Sequence, residues 1–109
     1  MESRKPVSFL GDSRARLQAF PEDARQTAGY ELDFVQQGKD PTDWKPMPTI
    51  GKGVREIRIK ERSGAFRVIY VANIGTQIFV LHAFQKKTQK TMQRDINLAT
   101  LRFRLIGKE

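Results

Sequence analysis

The chain has 109 residues, 39% of them apolar and seven of them Phe, which suits one small folded domain spanning 1–109 rather than a disordered segment. It carries no Cys, one His and no carboxylate cluster, so a disulfide framework, a thiol nucleophile and a zinc–cysteine site are excluded, and neither metal nor cofactor is expected. No run approaches about 18 apolar residues and the N-terminus lacks the apolar stretch of a secretory signal, so no membrane partner and a cytoplasmic location are expected. The net charge is +8, and it is one-sided. Residues 1–51 hold seven basic and eight acidic side chains, whereas residues 52–109 hold thirteen basic and four acidic. Such an asymmetric excess is the electrostatic footprint of a nucleic-acid binder.

Val7-Ser8-Phe9-Leu10 predicts a short first strand, with Gly11 ending it and Asp12 or Ser13 capping a helix. Arg14 to Phe20 fits that helix, and Pro21 fits the first position of a second one, followed by Glu22 and Asp23 at its positive end. Phe20, Ala24, Ala28, Leu32 and Val35 recur at helical spacing, and Gly38 is a C-terminal stop. The two helices read as a hairpin over residues 12–38.

Lys39 to Gly53 holds three Pro, two Gly and the only Trp, so no regular element is expected there. Trp44 is expected to pack this loop onto the domain, or else to meet a partner. From Val54 the period becomes two: Ile57 and Ile59 alternate with Glu56, Arg58 and Lys60. Phe66 to Ala72 and Gln77 to Phe84 are nearly continuous apolar runs, as central strands would be. Short turns at 62–65 and 73–76 make residues 54–84 an antiparallel meander. Thr91 is expected to cap a last helix of roughly 12–14 residues. Its Ile96, Ala99 and Phe103 share one face, with Leu98, Leu101 and Leu105 beside it and Arg94, Arg102 and Arg104 toward solvent. The expected class is α+β: an N-terminal helical hairpin on an antiparallel sheet, built from a short first strand plus a three-stranded meander, with a C-terminal helix.

Arg67 stands inside an apolar run, where an isolated guanidinium is expensive, so it needs an acidic partner or a wet cleft. Two readings stand level. In one, Arg67 pairs with Glu56 or Glu61 across the hairpin; in the other, its planar fork grips a phosphate. His82, the sole imidazole, reads as a packing residue or as a proton carrier near neutrality. Metal-independent RNA cleavage needs a base for the 2′-OH, an acid for the leaving 5′-oxygen and cations for the phosphorane. Glu56 or His82 can fill the first role, Lys86 the second, and Arg58 with Arg67 the third. Lys86 then needs a lowered pKa, which neighbouring cations would supply. Lys60, Lys87, Lys90 and Arg94 are candidate contacts to RNA phosphates.

The strings GVREIRI, FRVIY and VLHAFQKKTQKT, followed by a helix containing INLA, resemble the RelE/ParE toxin superfamily, and within it the HigB-like phage-derived branch of type II toxin–antitoxin toxins. The resemblance is close over residues 51–100. It implies a RelE-like fold and metal-independent endonucleolytic cleavage of mRNA on the translating ribosome, inhibiting translation. It also implies three partners: ribosome, mRNA and a cognate antitoxin of helix-turn-helix type. Carried over by motif, the strand cation falls on Arg58, the hairpin arginine on Arg67 and the basic residue after the last strand on Lys86, with Lys87 adjacent and Glu56 at the neighbouring strand position. Relatives place a tyrosine where this chain has Met92, so the proton-transfer scheme must differ here. Two other activities fit the same superfamily: a ParE-like, non-catalytic inhibitor of DNA gyrase, and an inactive phage-derived binding protein. On this reading Arg67→Ala is expected to abolish growth arrest and leave the fold near native.

Overall fold

The computed structural model of the protein describes residues 4–88 and 91–106. Its elements run β1 (Val7–Phe9), α1 (Ser13–Gln18), α2 (Glu22–Gln36), β2 (Trp44–Pro46), β3 (Val54–Glu61), β4 (Gly64–Ile74), β5 (Gln77–Lys86) and α3 (Gln93–Leu105). Among the described residues five strands form one sheet in the order β1-β5-β4-β3-β2. The class is α+β, as the periodicities imply, but two features depart from expectation.

First, the sheet is mixed. The meander β3-β4-β5 is antiparallel, whereas β1 lies parallel to β5, with Val7 beside Ile78 and Phe9 beside Val80. Short turns dictate antiparallel pairing only between consecutive strands, and β1 reaches β5 across most of the chain. Second, the loop between α2 and β3 contributes an edge strand, β2, which pairs Trp44 with Ile57 and Lys45 with Glu56. Pro46 ends it, an edge being where a residue without an N–H is tolerated. Trp44 packs as expected, its ring lying 3.8 Å from the Arg55 guanidinium carbon.

The sheet is covered on both faces. Ile57, Ile59, Phe66, Val68, Tyr70, Ile78 and Val80 meet the apolar stripe of α1 and α2, including Leu17, Phe20, Ala24 and Leu32. On the other face Val54, Ile69, Val71, Leu81 and Phe84 meet Ala99 of α3, flanked by Ile96 and Phe103. Two covered faces explain why β4 and β5 read as continuous apolar runs. α2 ends as its sequence implies, with Gly38 at φ +84° and the Gly38 and Lys39 amides donating to the Val35 and Phe34 carbonyls.

Two of the three helix starts differ from expectation. Pro21 is the N-cap of α2 rather than its first helical residue, so the helix starts one residue later than predicted, and Met92 rather than Thr91 is the N-cap of α3. Asp12 is the N-cap of α1, one of the two residues expected there, but its side chain makes no capping hydrogen bond. Its carboxylate instead accepts from Arg16 at 2.8 Å and from Arg102 at 2.7 Å, and the two guanidiniums lower its pKa from 3.8 to about 2.

One irregularity in β5 sets up everything that follows. Tyr70 pairs with Val80, but Ile69 pairs with His82, so Leu81 is an extra residue, a β-bulge. Before the bulge the odd residue Phe79 faces α3; after it the even residues His82, Phe84 and Lys86 do. The Leu81 carbonyl accepts from the Arg102 guanidinium at 2.9 Å, so the backbone group freed by the bulge is satisfied. Arg102 is therefore not a solvent-facing residue of α3, as predicted, but an inward clamp. It lies against Gly11, which adopts φ +56°, and a Cβ built there would come within 2.5 Å of its guanidinium. Gly11→Ala is expected to cost about 1–2 kcal/mol from the left-handed backbone alone. Thermal unfolding read by circular dichroism checks this; an unchanged midpoint would show that the left-handed backbone at Gly11 tolerates a side chain without cost.

Candidate nucleic-acid interface

Strand register decides which charges meet. Arg58 stands directly opposite Arg67, Glu56 opposite Ile69, Arg67 opposite Phe84, and Ala65 opposite Lys86. Lys45 of β2 stands opposite Glu56. Residues paired in this way share a face, so Lys45, Glu56, Arg58, Arg67 and Lys86 gather on the α3 side of the sheet. Facing arginines repel, and the balancing charge comes from Glu56, which is fully buried. Its Oε1 is 3.5 Å from Arg67 Nε and 3.8 Å from Lys45 Nζ, while its Oε2 accepts from the Thr91 hydroxyl at 2.8 Å.

Arg67 is itself only 6% exposed and donates through Nη1 to the Phe66 carbonyl at 2.9 Å. Its pairing with Glu56 is an ion pair without a hydrogen bond, and Arg67 Nε and Glu56 Oε1 have no hydrogen-bond partner among the described residues. Burial draws the Arg67 pKa down, Glu56 opposes, and Arg58 adds to the lowering. The Lys86 pKa is likewise lowered from 10.5, first by burial and then by Arg67, with Lys45 and Arg58 contributing and Glu56 opposing. The direction is the one an acid role requires.

Next to this cluster lies a cleft of about 580 Å³ whose walls include Arg16, Lys86, Lys87, Met92, Arg94 and Leu98. His82 and Asp95 form its floor. His82 is 1% exposed, its Nε2 is 2.7 Å from Asp95 Oδ1, and its ring stacks on Phe84 with centroids 5.0 Å apart. A carboxylate only accepts, so Nε2 carries the proton, and Nδ1, which has no hydrogen-bond partner among the described residues, is a bare lone pair in the neutral ring. A charged ring would bury an unpaired N–H donor. Burial accordingly lowers the His82 pKa, against the pull of Asp95.

The folded pKa lies below the ordinary 6.5, so the unfolded chain binds more protons. This stability is present above about 6.5 and drains as pH falls toward and through the folded value. Urea unfolding between pH 8 and pH 5 is expected to show a falling midpoint, and His82→Gln should flatten that slope (about 5–8 being the histidine window). A slope unaltered in the variant would assign it to other groups.

Of the residues singled out by sequence, Arg58 and Lys60 are exposed on one face of β3, Lys86 is half-buried, and Lys87 and Arg94 are exposed at the cleft. Lys90 lies outside the described residues. Glu56 and His82 belong to the same region but are enclosed beneath it, each held by a neighbour, so neither presents a free base to the cleft. Between the two partners weighed for Arg67, Glu56 is the one found; Glu61 accepts instead from the Thr27 hydroxyl at 2.6 Å. Sequence reasoning missed Lys45, hidden in a Pro-rich loop, and Thr91 and Asp95, which anchor the start of α3 to the sheet. Asp95 did carry a signal, as an acid in the first turn of a helix. Among the described residues no group of three or more His, Cys, Asp or Glu could hold a metal ion, and no helix is long and apolar enough to cross a membrane.

No curated protein matches the chain. The family model described as Phage derived protein Gp49-like (DUF891) matches residues 15–104, a stretch that contains the whole cation cluster and the cleft. The chain belongs to this phage-derived Gp49-like family, which is associated with toxin–antitoxin systems.

Proposed function

We propose that this protein is the toxin of a type II toxin–antitoxin pair, with a RelE-like fold, and that it cuts mRNA endonucleolytically on the translating ribosome. The observation that carries the reading is the gathering of Lys45, Arg58, Arg67 and Lys86 around one enclosed carboxylate beside an open, cation-walled cleft. A partner-binding surface has no need of cations converging on one point, whereas a phosphorane, with its surplus negative charge, does.

In this scheme the ribose 2′-oxygen attacks the adjacent phosphorus, forming the P–O2′ bond as the P–O5′ bond breaks. Arg58 holds the non-bridging oxygens, and the buried Arg67 adds positive charge from beneath. Lys86, protonated at neutral pH but with its pKa lowered, gives its proton to the departing O5′. With Glu56 and His82 enclosed, the 2′-OH proton leaves to solvent, and charge stabilisation carries most of the acceleration. Glu56 acts as a positioning residue that holds Arg67 and Lys45 in register. Lys60, Lys87 and Arg94 bind flanking phosphates, and a cognate antitoxin of helix-turn-helix type neutralises the toxin.

Induced expression followed by mapping of RNA 5′ ends tests this. New 5′-hydroxyl ends within codons, absent when Lys86→Ala is induced, are the expected result. Growth arrest without new ends, accompanied by DNA-damage signalling, would instead favour gyrase inhibition of the ParE kind. Harmless expression would favour an inactive binding protein.

A further inference from the structure

A second cavity, of about 240 Å³, lies between the end of α2 and the strands β3 and β4. It opens on the sheet face opposite the cleft. Arg55 stands across from Tyr70 in the register, and Tyr70 packs into the core under α2, so this pair looks away from Arg58, Arg67 and Lys86. Val35 and Ala72 give the cavity an apolar wall, and Tyr70, only 1% exposed, reaches it from the core.

The polar part of the lining consists mainly of donors. Arg55 is held twice, its guanidinium carbon 3.8 Å from the Trp44 ring and its Nη1 2.8 Å from Asp40 Oδ1. Burial raises the Tyr70 pKa against a hydrogen bond with Arg55, so the hydroxyl keeps its proton at neutral pH. That proton has no acceptor among the described residues. Lys5 is half-buried, with Nζ 3.2 Å from the Ala72 carbonyl, which leaves its other N–H groups free to turn toward the cavity. Lys39 stands exposed at the rim. Asn73 adds a side-chain amide, fixed against Gly53, where a Cβ would come within 2.1 Å of the amide nitrogen.

Each carboxylate in the neighbourhood is already engaged. Asp40 pairs with Arg55, Asp33 with Arg4, and the buried Glu31 accepts from the Thr42 amide at 2.6 Å. Lys5 and Lys39 have no ion-pair partner among the described residues. Two uncompensated ammonium groups at one cavity suit a dianion, and neutral donors beside them suit its oxygens. A phosphate monoester carries a charge of about −1.5 to −2 at neutral pH on three terminal oxygens, whereas a carboxylate has one charge on two. The volume falls short of the roughly 300–1,000 Å³ of sites for drug-sized ligands, so the occupant is small. An RNA backbone offers singly charged diesters with chain on both sides, and it matches neither the charge nor the depth of Tyr70.

We propose that this cavity binds a small phosphate monoester. Lys5 and Lys39 meet its charge, Tyr70, Arg55 and Asn73 donate to its oxygens, and its organic part lies against Val35 and Ala72. The site is separate from the cleft and stands whether or not the protein cuts RNA.

The test is titration of the isotope-labelled full chain with ribose 5-phosphate, followed by nuclear magnetic resonance of the amides. Saturable shifts are expected at Gly38, Gly53, Ala72 and the Asn73 side chain, with affinity rising as pH passes about 6, where the monoester gains its second charge. Ribose, which lacks the phosphate, and gluconate, which carries a carboxylate instead, should each bind at least about tenfold more weakly. Lys5→Gln/Lys39→Gln should weaken ribose 5-phosphate binding about a hundredfold, roughly tenfold for each charge-assisted contact. Both lysines lie outside the core, so this variant keeps its fold. Lys86→Gln, on the other face, should bind the ester as the wild type does.

Four results would overturn the proposal. Ribose or gluconate binding as tightly as the ester would remove the phosphate. Undiminished binding by the double lysine variant would remove the cations. Shifts centred on the cleft and lost in Lys86→Gln would assign the anion to the other face. An RNA oligomer with hydroxyl ends that shifts the same amides as tightly would replace the small ligand with a nucleic-acid backbone.

Discussion

Arg58→Ala and Lys86→Ala are each expected to slow RNA cleavage about 10²–10³-fold while leaving the fold intact, the range found when a charge stabiliser or proton donor is removed. Arg58 is exposed on β3, and Lys86 sits at the rim where β5 ends, so neither supports the core. The two variants differ in what they leave behind. In the proposed scheme, the transition state without Arg58 loses a cation but keeps the acid, whereas without Lys86 the leaving oxygen departs as an alkoxide. Lys86→Arg separates charge from acidity: a guanidinium keeps its proton at any working pH, so KM should hold while kcat falls. In the wild type, activity should decline as pH rises through the Lys86 pKa, which lies below 10.5, and Lys86→Arg should lack that decline. Single-turnover cleavage of a ribosome-bound message across pH measures all of this. Full activity in Lys86→Ala would end the acid role and the scheme built on it.

Arg67→Ala is expected to fail differently from the way the sequence alone implied. The residue is buried and is an ion-pair partner of a fully buried carboxylate, so its removal strands Glu56 with only Lys45 at 3.8 Å and the Thr91 hydroxyl. Breaking one side of such a pair costs about 3–5 kcal/mol, so the expectation of a near-native Arg67→Ala is withdrawn. Lys45 is partly exposed and offsets some of this, which places the loss toward the lower figure. Loss of growth arrest in Arg67→Ala is then no evidence for catalysis. Replacing both partners, Glu56→Met with Arg67→Met, should restore much of the stability, because an apolar pair of similar bulk needs no compensating charge. The double variant should nevertheless stay inactive. Urea midpoints for the two single variants and the double close the thermodynamic cycle. If Arg67→Ala unfolds at the wild-type midpoint, the ion pair contributes nothing and Glu56 positions nothing.

The two sets of variants also bear on why a carboxylate stands at the centre of a cationic cluster. Arg58 and Arg67 are forced to face each other by register. Glu56, on the same strand as Arg58, relieves that repulsion from below, and Thr91 and Lys45 hold the carboxylate where it can do so. The start of α3 is thereby fastened twice, through Thr91 to Glu56 and through Asp95 to His82.

Much of this was legible in the chain itself. The spacing of Phe20, Ala24, Ala28, Leu32 and Val35 marked the buried stripe of α2, and the nearly continuous apolar runs of β4 and β5 marked the central strands. The one-sided charge and the chain order of Arg58, Arg67 and Lys86 marked cations that strand register brings onto one face. Period and composition are local properties, and they report burial and charge without reference to the rest of the chain. Tertiary structure alone decided the parallel pairing of β1 with β5, the recruitment of Lys45 on β2, the choice of Glu56 over Glu61 and the inward turn of Arg102. It also decided the bulge at Leu81, which puts His82, Phe84 and Lys86 on the face of Arg67. Each of these depends on which distant strand lies alongside and in what register, and a shift of one residue sends a side chain to the opposite face, so no local pattern can encode it.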